Sequence, residues 1–125
     1  MTPEIQLISN LVVTRPDGQV LLVRHDPDDE RWWLPGDDLE PYEHPDEAAD
    51  RVLKSLPGLA VEGRTFSFIE SFRGRRGWHV VFHYRVNASG EPKGKLPSGW
   101  HAPRALPPTA HRPWEQNCMT RVLGS

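Results

Sequence analysis

The chain has a single cysteine, no apolar run long enough to cross a bilayer and almost no net charge. Each shortage excludes something. Cys118 alone cannot form an internal disulfide, and it fits a reducing compartment. Apolar stretches such as QVLLV fall far short of the about 20 residues that a membrane-spanning helix needs, so no membrane partner is expected. A formal net charge of −2 with 26% charged residues gives no field of one sign that would draw in nucleic acid. The opening MTPEIQLISN lacks a basic region followed by an apolar one, so a secretory signal is not expected and a cytoplasmic protein is. No repeat or low-complexity tract appears. At 125 residues the chain suits one domain, residues 1–125, around one hydrophobic core.

What is present is a clear alternation of element signals. Ile5, Leu7, Leu11 and Val13 space a first strand over residues 4–14. Arg15-Pro16-Asp17-Gly18 supplies turn chemistry, and Gln19 to His25 returns as the second arm of a hairpin. A short strand is expected over Arg31 to Leu34, closed by Pro35-Gly36. From Pro45 to Leu56 a helix is predicted, capped by His44, with Ala48, Ala49, Val52, Leu53 and Leu56 on one stripe and Pro57-Gly58 ending it. Two longer strands follow, Val61 to Phe72 and Trp78 to Val86, joined by the glycine-flanked arginines of RGRRG. Asn87 to Ser98 reads as a flexible polar loop, Gly99 to Ala102 as a short strand, and Pro113 opens a last helix ended by Gly124. The class is α/β (α+β): a mixed sheet with helices against it.

The densest information lies in Trp32 to Leu59. Seven potential ligands (Asp37, Asp38, Glu40, Glu43, His44, Asp46, Glu47) fall within eleven residues at the start of the helix. With Glu43 as anchor, Arg51 follows after seven residues, then Leu53 and the pair Gly58-Leu59. This spacing resembles the Nudix box: Gly, five residues, Glu, seven residues, then Arg-Glu-hydrophobic-x-Glu-Glu-x-Gly-hydrophobic. Trp32 and Leu34-Pro35-Gly36 before it are similar to the family's W-x-L-P-G segment, and Trp100-His101 with Leu106-Pro107 to its late "W … LP" segment. The resemblance covers most of the chain. It implies a Nudix-like sheet between helices, Mg or Mn as cofactor, and hydrolysis of a nucleoside diphosphate linked to another group.

The departures fall on the chemistry. Asp37 stands at the box's first glycine, Val52 at the glutamate after the arginine, and Ser55 and Leu56 at the glutamate pair. Magnesium asks for hard oxygen ligands in near-octahedral geometry, and valine and leucine supply none. Two readings follow. One is a divergent hydrolase, with Glu43, Arg51 and Glu70 as catalytic residues and Glu40, Glu43 and Glu47 as the metal's ligands. The other is a silent module of the same fold that binds a nucleotide-type ligand or a protein. The carboxylates have a structural reading too: Glu43 or Glu47 pairs with Arg51, and the remaining acids complement the helix N-terminus.

Further candidates each carry two readings. Arg24 is either a phosphate contact or a solvent-facing strand residue, and Trp33 either a platform for a nucleobase or packing. Arg73, with Arg75 and Arg76, either grips phosphates or is a solvated turn. Glu70 shares the alternation of Phe66, Phe68 and Phe72, and so is either an apolar-facing base or reaches water at a bulge. His79 and His83 share a strand face, as a pair of metal ligands or as structural histidines. Cys118 reads as an ordinary helix residue. Oligomeric state stays open, a homodimer included.

Overall fold

The computed structural model describes residues 4–26 and 28–124. The chain runs β1 (Ile5–Thr14), β2 (Val20–Val23), β3 (Gly36–Asp38), α1 (Pro45–Lys54), β4 (Leu59–Gly74), β5 (Gly77–Gly90), β6 (Ser98–His101) and α2 (Arg112–Leu123). The sheet has the order β4-β5-β1-β2-β6, with β3 also pairing to β1. Only the β1·β5 pairing is parallel among those described. β1 shares one edge between two partners: Thr14 faces Val20 of β2, while Ile8 to Asn10 face Asp38 to Gly36 of β3.

The centre of the sheet is covered on both faces, which is why Leu11-Val12-Val13 and Val20-Leu21-Leu22-Val23 read as unbroken apolar runs. Alternate residues serve different cores. Leu11, Val13, Leu21 and Val23 pack with Ala49 and Val52 of α1 and with Leu56 just beyond it. Val12, Val20 and Leu22 pack with Cys118, Met119 and Val122 of α2. One sheet thus separates two apolar layers, each closed by one helix.

Local chemistry sets the element ends. His44 caps α1 in extended backbone: its Nδ1 accepts from the Asp46 N–H at 3.0 Å, and Glu47 returns to accept from the His44 N–H at 3.1 Å. That is a capping box with imidazole in place of the usual hydroxyl. The helix stops at Lys54, two residues short of the expected end: the Leu56 N–H bonds the Leu53 carbonyl, three back, and Pro57 has no N–H to carry the ladder on. The long hairpin extends further than its alternation suggested. β4 and β5 pair from Leu59↔Gly90 to Gly74↔Gly77, leaving only Arg75-Arg76 as the turn. Gly77 at φ 108 permits it, and a Cβ there would meet the Glu4 carbonyl at 2.5 Å.

Three expectations are corrected. Arg31–Leu34 forms no strand; Trp32 and Trp33 make isolated bridges to Thr109 and Val23, and the ladder resumes at Gly36 beyond Pro35, which has no N–H to give. Asp37 and Asp38 therefore lie in β3 and not in a loop. The Asn87–Ser98 loop is shorter and tethered: Asn87 to Gly90 belong to β5, the Lys93 N–H bonds the Pro57 carbonyl, and the Arg24 N–H bonds the Pro97 carbonyl. A register shift between Phe66 and Phe68 puts Phe66 against Tyr84 on the α1 side, while Phe68 stacks on His83 on the α2 side.

Candidate active site

Arg51 is the hub of the acidic segment. Its Nε donates to Glu43 Oε2 at 3.0 Å and its Nη2 to Glu43 Oε1 at 2.9 Å. Nη1 donates to Asp37 Oδ2 at 2.7 Å, and Nη2 also reaches the Asp38 carbonyl at 2.9 Å. Glu40 stands further off, at 3.9 Å from Nε. One side chain of α1 thereby ties the helix to β3 and to the loop between them. The guanidinium holds the Glu43 carboxyl below its ordinary range, chiefly through those hydrogen bonds, and the two carboxylates hold Arg51 firmly protonated. Arg76 from the β4–β5 turn makes a second fork, onto Asp38 at 3.0 and 3.2 Å.

Beside this network opens a cleft of about 620 Å3 between α1, the start of β3 and the 91–97 loop. Arg51, Val52, Ser55 and Leu56 form its helix side; His25, Lys93 and Lys95 line it as well. Burial lowers the His25 pKa, with Asp37 opposing. The two lysines escaped the sequence reading because they sit in a segment with no periodicity. Only the tether to Pro57 brings them to the cleft.

The expected site residues separate into groups. Glu43 and Arg51 come together, with Glu40 at their margin. Glu47 is turned to the His44 N–H, one end of the cap. Trp33 borders His25 and His111, edge to face at 5.0 and 5.3 Å, and packs against the α1-side core. Arg24 donates from Nε to the Asp29 carbonyl at 2.7 Å and lies 5.8 Å from the Trp32 ring. Arg73 is exposed at the far end of β4, opposite Trp78.

Glu70 lies on the other side of the sheet from Arg51. One carboxylate oxygen meets His83 Nε2 at 2.7 Å and accepts from Trp114 Nε1 at 2.9 Å. His79 and His83 do not converge: His79 stacks on Phe72, while His83 sits between Phe68 and Glu70. Among the described residues, the one group of His, Cys, Asp or Glu able to close on a single ion is Glu70, His83 and Cys118.

The fold is that of a Nudix-type α+β sandwich, with the acidic segment and Arg51 at the mouth of the cleft. A family model for the NUDIX domain matches residues 6–122. The chain belongs to the Nudix family. It is similar in structure to a MutT NUDIX hydrolase from Burkholderia pseudomallei, with TM-score 0.75 and 24% identity over 95% of this chain and 98% of that one. It also resembles the E. coli ORF135 protein (TM-score 0.72, 18% identity, 97% and 90% coverage) and a UDP-X diphosphatase (0.76, 14%, 98% and 63%). At these identities the structural likeness speaks for the fold. No curated protein matches the chain by sequence.

At positions 52, 55 and 56, which the spacing from Glu43 sets against the glutamates of the Nudix box, the side chains do not fit a hard divalent cation. Val52 and Leu56 are buried in the α1-side core. The Ser55 hydroxyl donates to the Val52 carbonyl at 2.5 Å. Glu43, which does match a box glutamate, spends both oxygens on Arg51. Magnesium needs several free oxygens around one point, and this cleft presents a closed ion-pair network instead.

Proposed function

We propose that this Nudix-family chain has weak or lost metal-dependent hydrolysis of nucleoside diphosphate derivatives. One observation carries the reading: the carboxylate that remains at a box position is locked in a two-point pair with Arg51, while Val52, Ser55 and Leu56 stand at the others. Metal-assisted pyrophosphate cleavage depends on a cation that polarises phosphoryl oxygens and supplies hydroxide, and nothing here replaces it. Glu40, Glu43 and Glu47 remain the best metal ligands the segment offers, and Glu43 and Arg51 its best catalytic pair. Their arrangement supports a structural role more than either.

A binding role for the same cleft is the second reading, favoured by Lys93, Lys95 and His25 on its walls. Two ammonium groups suit an anionic ligand such as a nucleoside diphosphate derivative, which they would hold without a metal. A cytoplasmic setting, with residues 1–125 acting as one Nudix-like domain, completes this reading; its support is the single cysteine and the length.

The test is calorimetry of the full chain with Mg²⁺ and Mn²⁺, then phosphate release from a panel of nucleoside diphosphate derivatives. We expect no saturable cation binding and turnover at background. Tight binding that vanishes in Glu43→Gln, together with turnover, would establish a working hydrolase and end this proposal.

A further inference from the structure

We propose that Glu70, His83 and Cys118 form a zinc site, on the face of the sheet opposite the Arg51 cleft. The three come from β4, β5 and α2, and one ligand atom of each lies within 4.8 Å of the other two. A carboxylate oxygen, an imidazole nitrogen and a thiol sulfur are the donor set of a borderline cation. Magnesium and calcium select oxygens alone, whereas zinc takes four ligands from N, S and O. Three protein ligands leave a fourth position. Glu70 and Cys118 line a pocket of about 310 Å3, walled also by Phe68, Trp114, Asn117 and Arg121, from which water could fill that position. That is the ligand count of an open zinc centre, not of a closed structural one.

The surroundings favour ligation on three counts. His83 is fully buried, with its Nε2 2.7 Å from the Glu70 carboxylate. Phe68 stacks on its ring at 4.3 Å and fixes its plane. Outer partners hold both His83 and Glu70: the Asn10 amide lies 3.1 Å from His83 Nδ1, and Trp114 Nε1 donates to Glu70 Oε1. A second hydrogen bond on the far nitrogen of a ligating histidine is what such sites use to set tautomer and orientation.

The proton balance is definite. With Asn10 donating to Nδ1, the imidazole proton sits on Nε2 and points at Glu70. Zinc at Nε2 moves that proton to Nδ1, and the Asn10 amide turns so that its oxygen accepts it. The Cys118 thiol gives up its proton on ligation, because the thiolate is the form that binds a metal. The sum is one proton released per ion at neutral pH.

The experiment is a zinc titration of the full chain in two buffers of different ionisation enthalpy, with Co²⁺ as the spectroscopic probe. We expect one ion per chain, one proton released, and a sulfur-to-cobalt charge-transfer band with the intense visible bands of a tetrahedral site. Cys118→Ser should abolish that band and weaken zinc by more than the about 10–100-fold that loss of an outer partner such as Asn10 costs. Excess Mg²⁺ should not compete. Absence of the sulfur-to-cobalt band, or equal zinc affinity in the wild type and Cys118→Ser, overturns the site. If Cys118→Ser does not fold, the wild-type cobalt spectrum alone decides. None of these readouts depends on whether the Arg51 cleft binds magnesium.

Discussion

Arg51 on α1 grips Glu43 with two parallel hydrogen bonds, at 3.0 and 2.9 Å, from eight positions away in the chain. A guanidinium fork on a carboxylate is the strongest ion-pair geometry available to side chains. With Asp37 on its remaining arm, Arg51 fixes where the helix begins relative to β3. The spacing that resembles the box's glutamate and arginine thus brings Glu43 and Arg51 together in a pair that ties α1 to the loop before it.

Rebuilding the glutamates of the family's box should fail for a packing reason. Val52 and Leu56 are 7% and 4% exposed, within the α1-side core. Val52→Glu buries a carboxylate among apolar groups and should cost about 3 kcal/mol or more in urea unfolding. The triple change with Ser55→Glu and Leu56→Glu should lose the fold before it gains a cation site. Ser55→Glu alone, at an exposed position, should fold normally and show no Mg²⁺ affinity above wild type in calorimetry.

Tyr84 places a hydroxyl inside the α1-side core and uses it on the helix start, donating to Asp46 Oδ1 at 2.5 Å. Tyr84→Phe keeps the ring and removes the bond. It should cost about 1 kcal/mol by chemical denaturation, whereas Leu21→Ala, which empties a fully buried site, should cost about 2–5 kcal/mol. No loss in Tyr84→Phe would mean that the helix start does not depend on this contact.

The His44 cap makes a smaller, separable prediction. His44→Ala removes the acceptor for the Asp46 N–H while leaving Glu47 able to reach back. We expect a loss of about 1 kcal/mol, restored in large part by His44→Asp or His44→Ser. Failure of those two to recover stability would show that the imidazole acts through something other than capping.

Acid should weaken the fold through this same region. Glu43 and Asp46 have folded-state pKa values below their ordinary 4.5 and 3.8, the first held down chiefly by Arg51 and the second chiefly by the Tyr84 hydroxyl. The unfolded chain therefore takes up their protons more readily. Their contribution is complete above the ordinary values and is lost as pH falls through the depressed ones. The urea midpoint should drop between about pH 6 and pH 3, and by less in Glu43→Gln than in the wild type. An identical drop in both would remove Glu43 from the account.

Much of this architecture was legible along the chain because it rests on local rules. The turn at Pro16-Gly18, the helix opened by Pro45 and closed ahead of Pro57-Gly58, and the apolar stripe through Ala49, Val52 and Leu56 all depend on neighbours within a few residues. The spacing from Glu43 through Arg51 to Gly58-Leu59 was enough to carry the family resemblance. β3 was misplaced because its strand character comes from the open edge of β1, not from its own Gly-Asp-Asp. The face of Phe66 was missed because one extra residue in β4 reverses the side chains before it, back to a second shift between Val61 and Gly63.

The sequence by itself determined the order of elements, the helix start and the removal of carboxylates from the helix's box positions, since each is written in residue identity and short spacing. Only the tertiary structure decided which charges meet. It closed Arg51 on Glu43 and Asp37, swung Lys93 and Lys95 to the cleft, and gathered Glu70, His83 and Cys118 from separate elements behind the sheet. Side-chain chemistry acts over a few ångströms of space. Residues up to 48 positions apart come that close only after β4 pairs with β5 and α2 packs on the opposite face of the sheet.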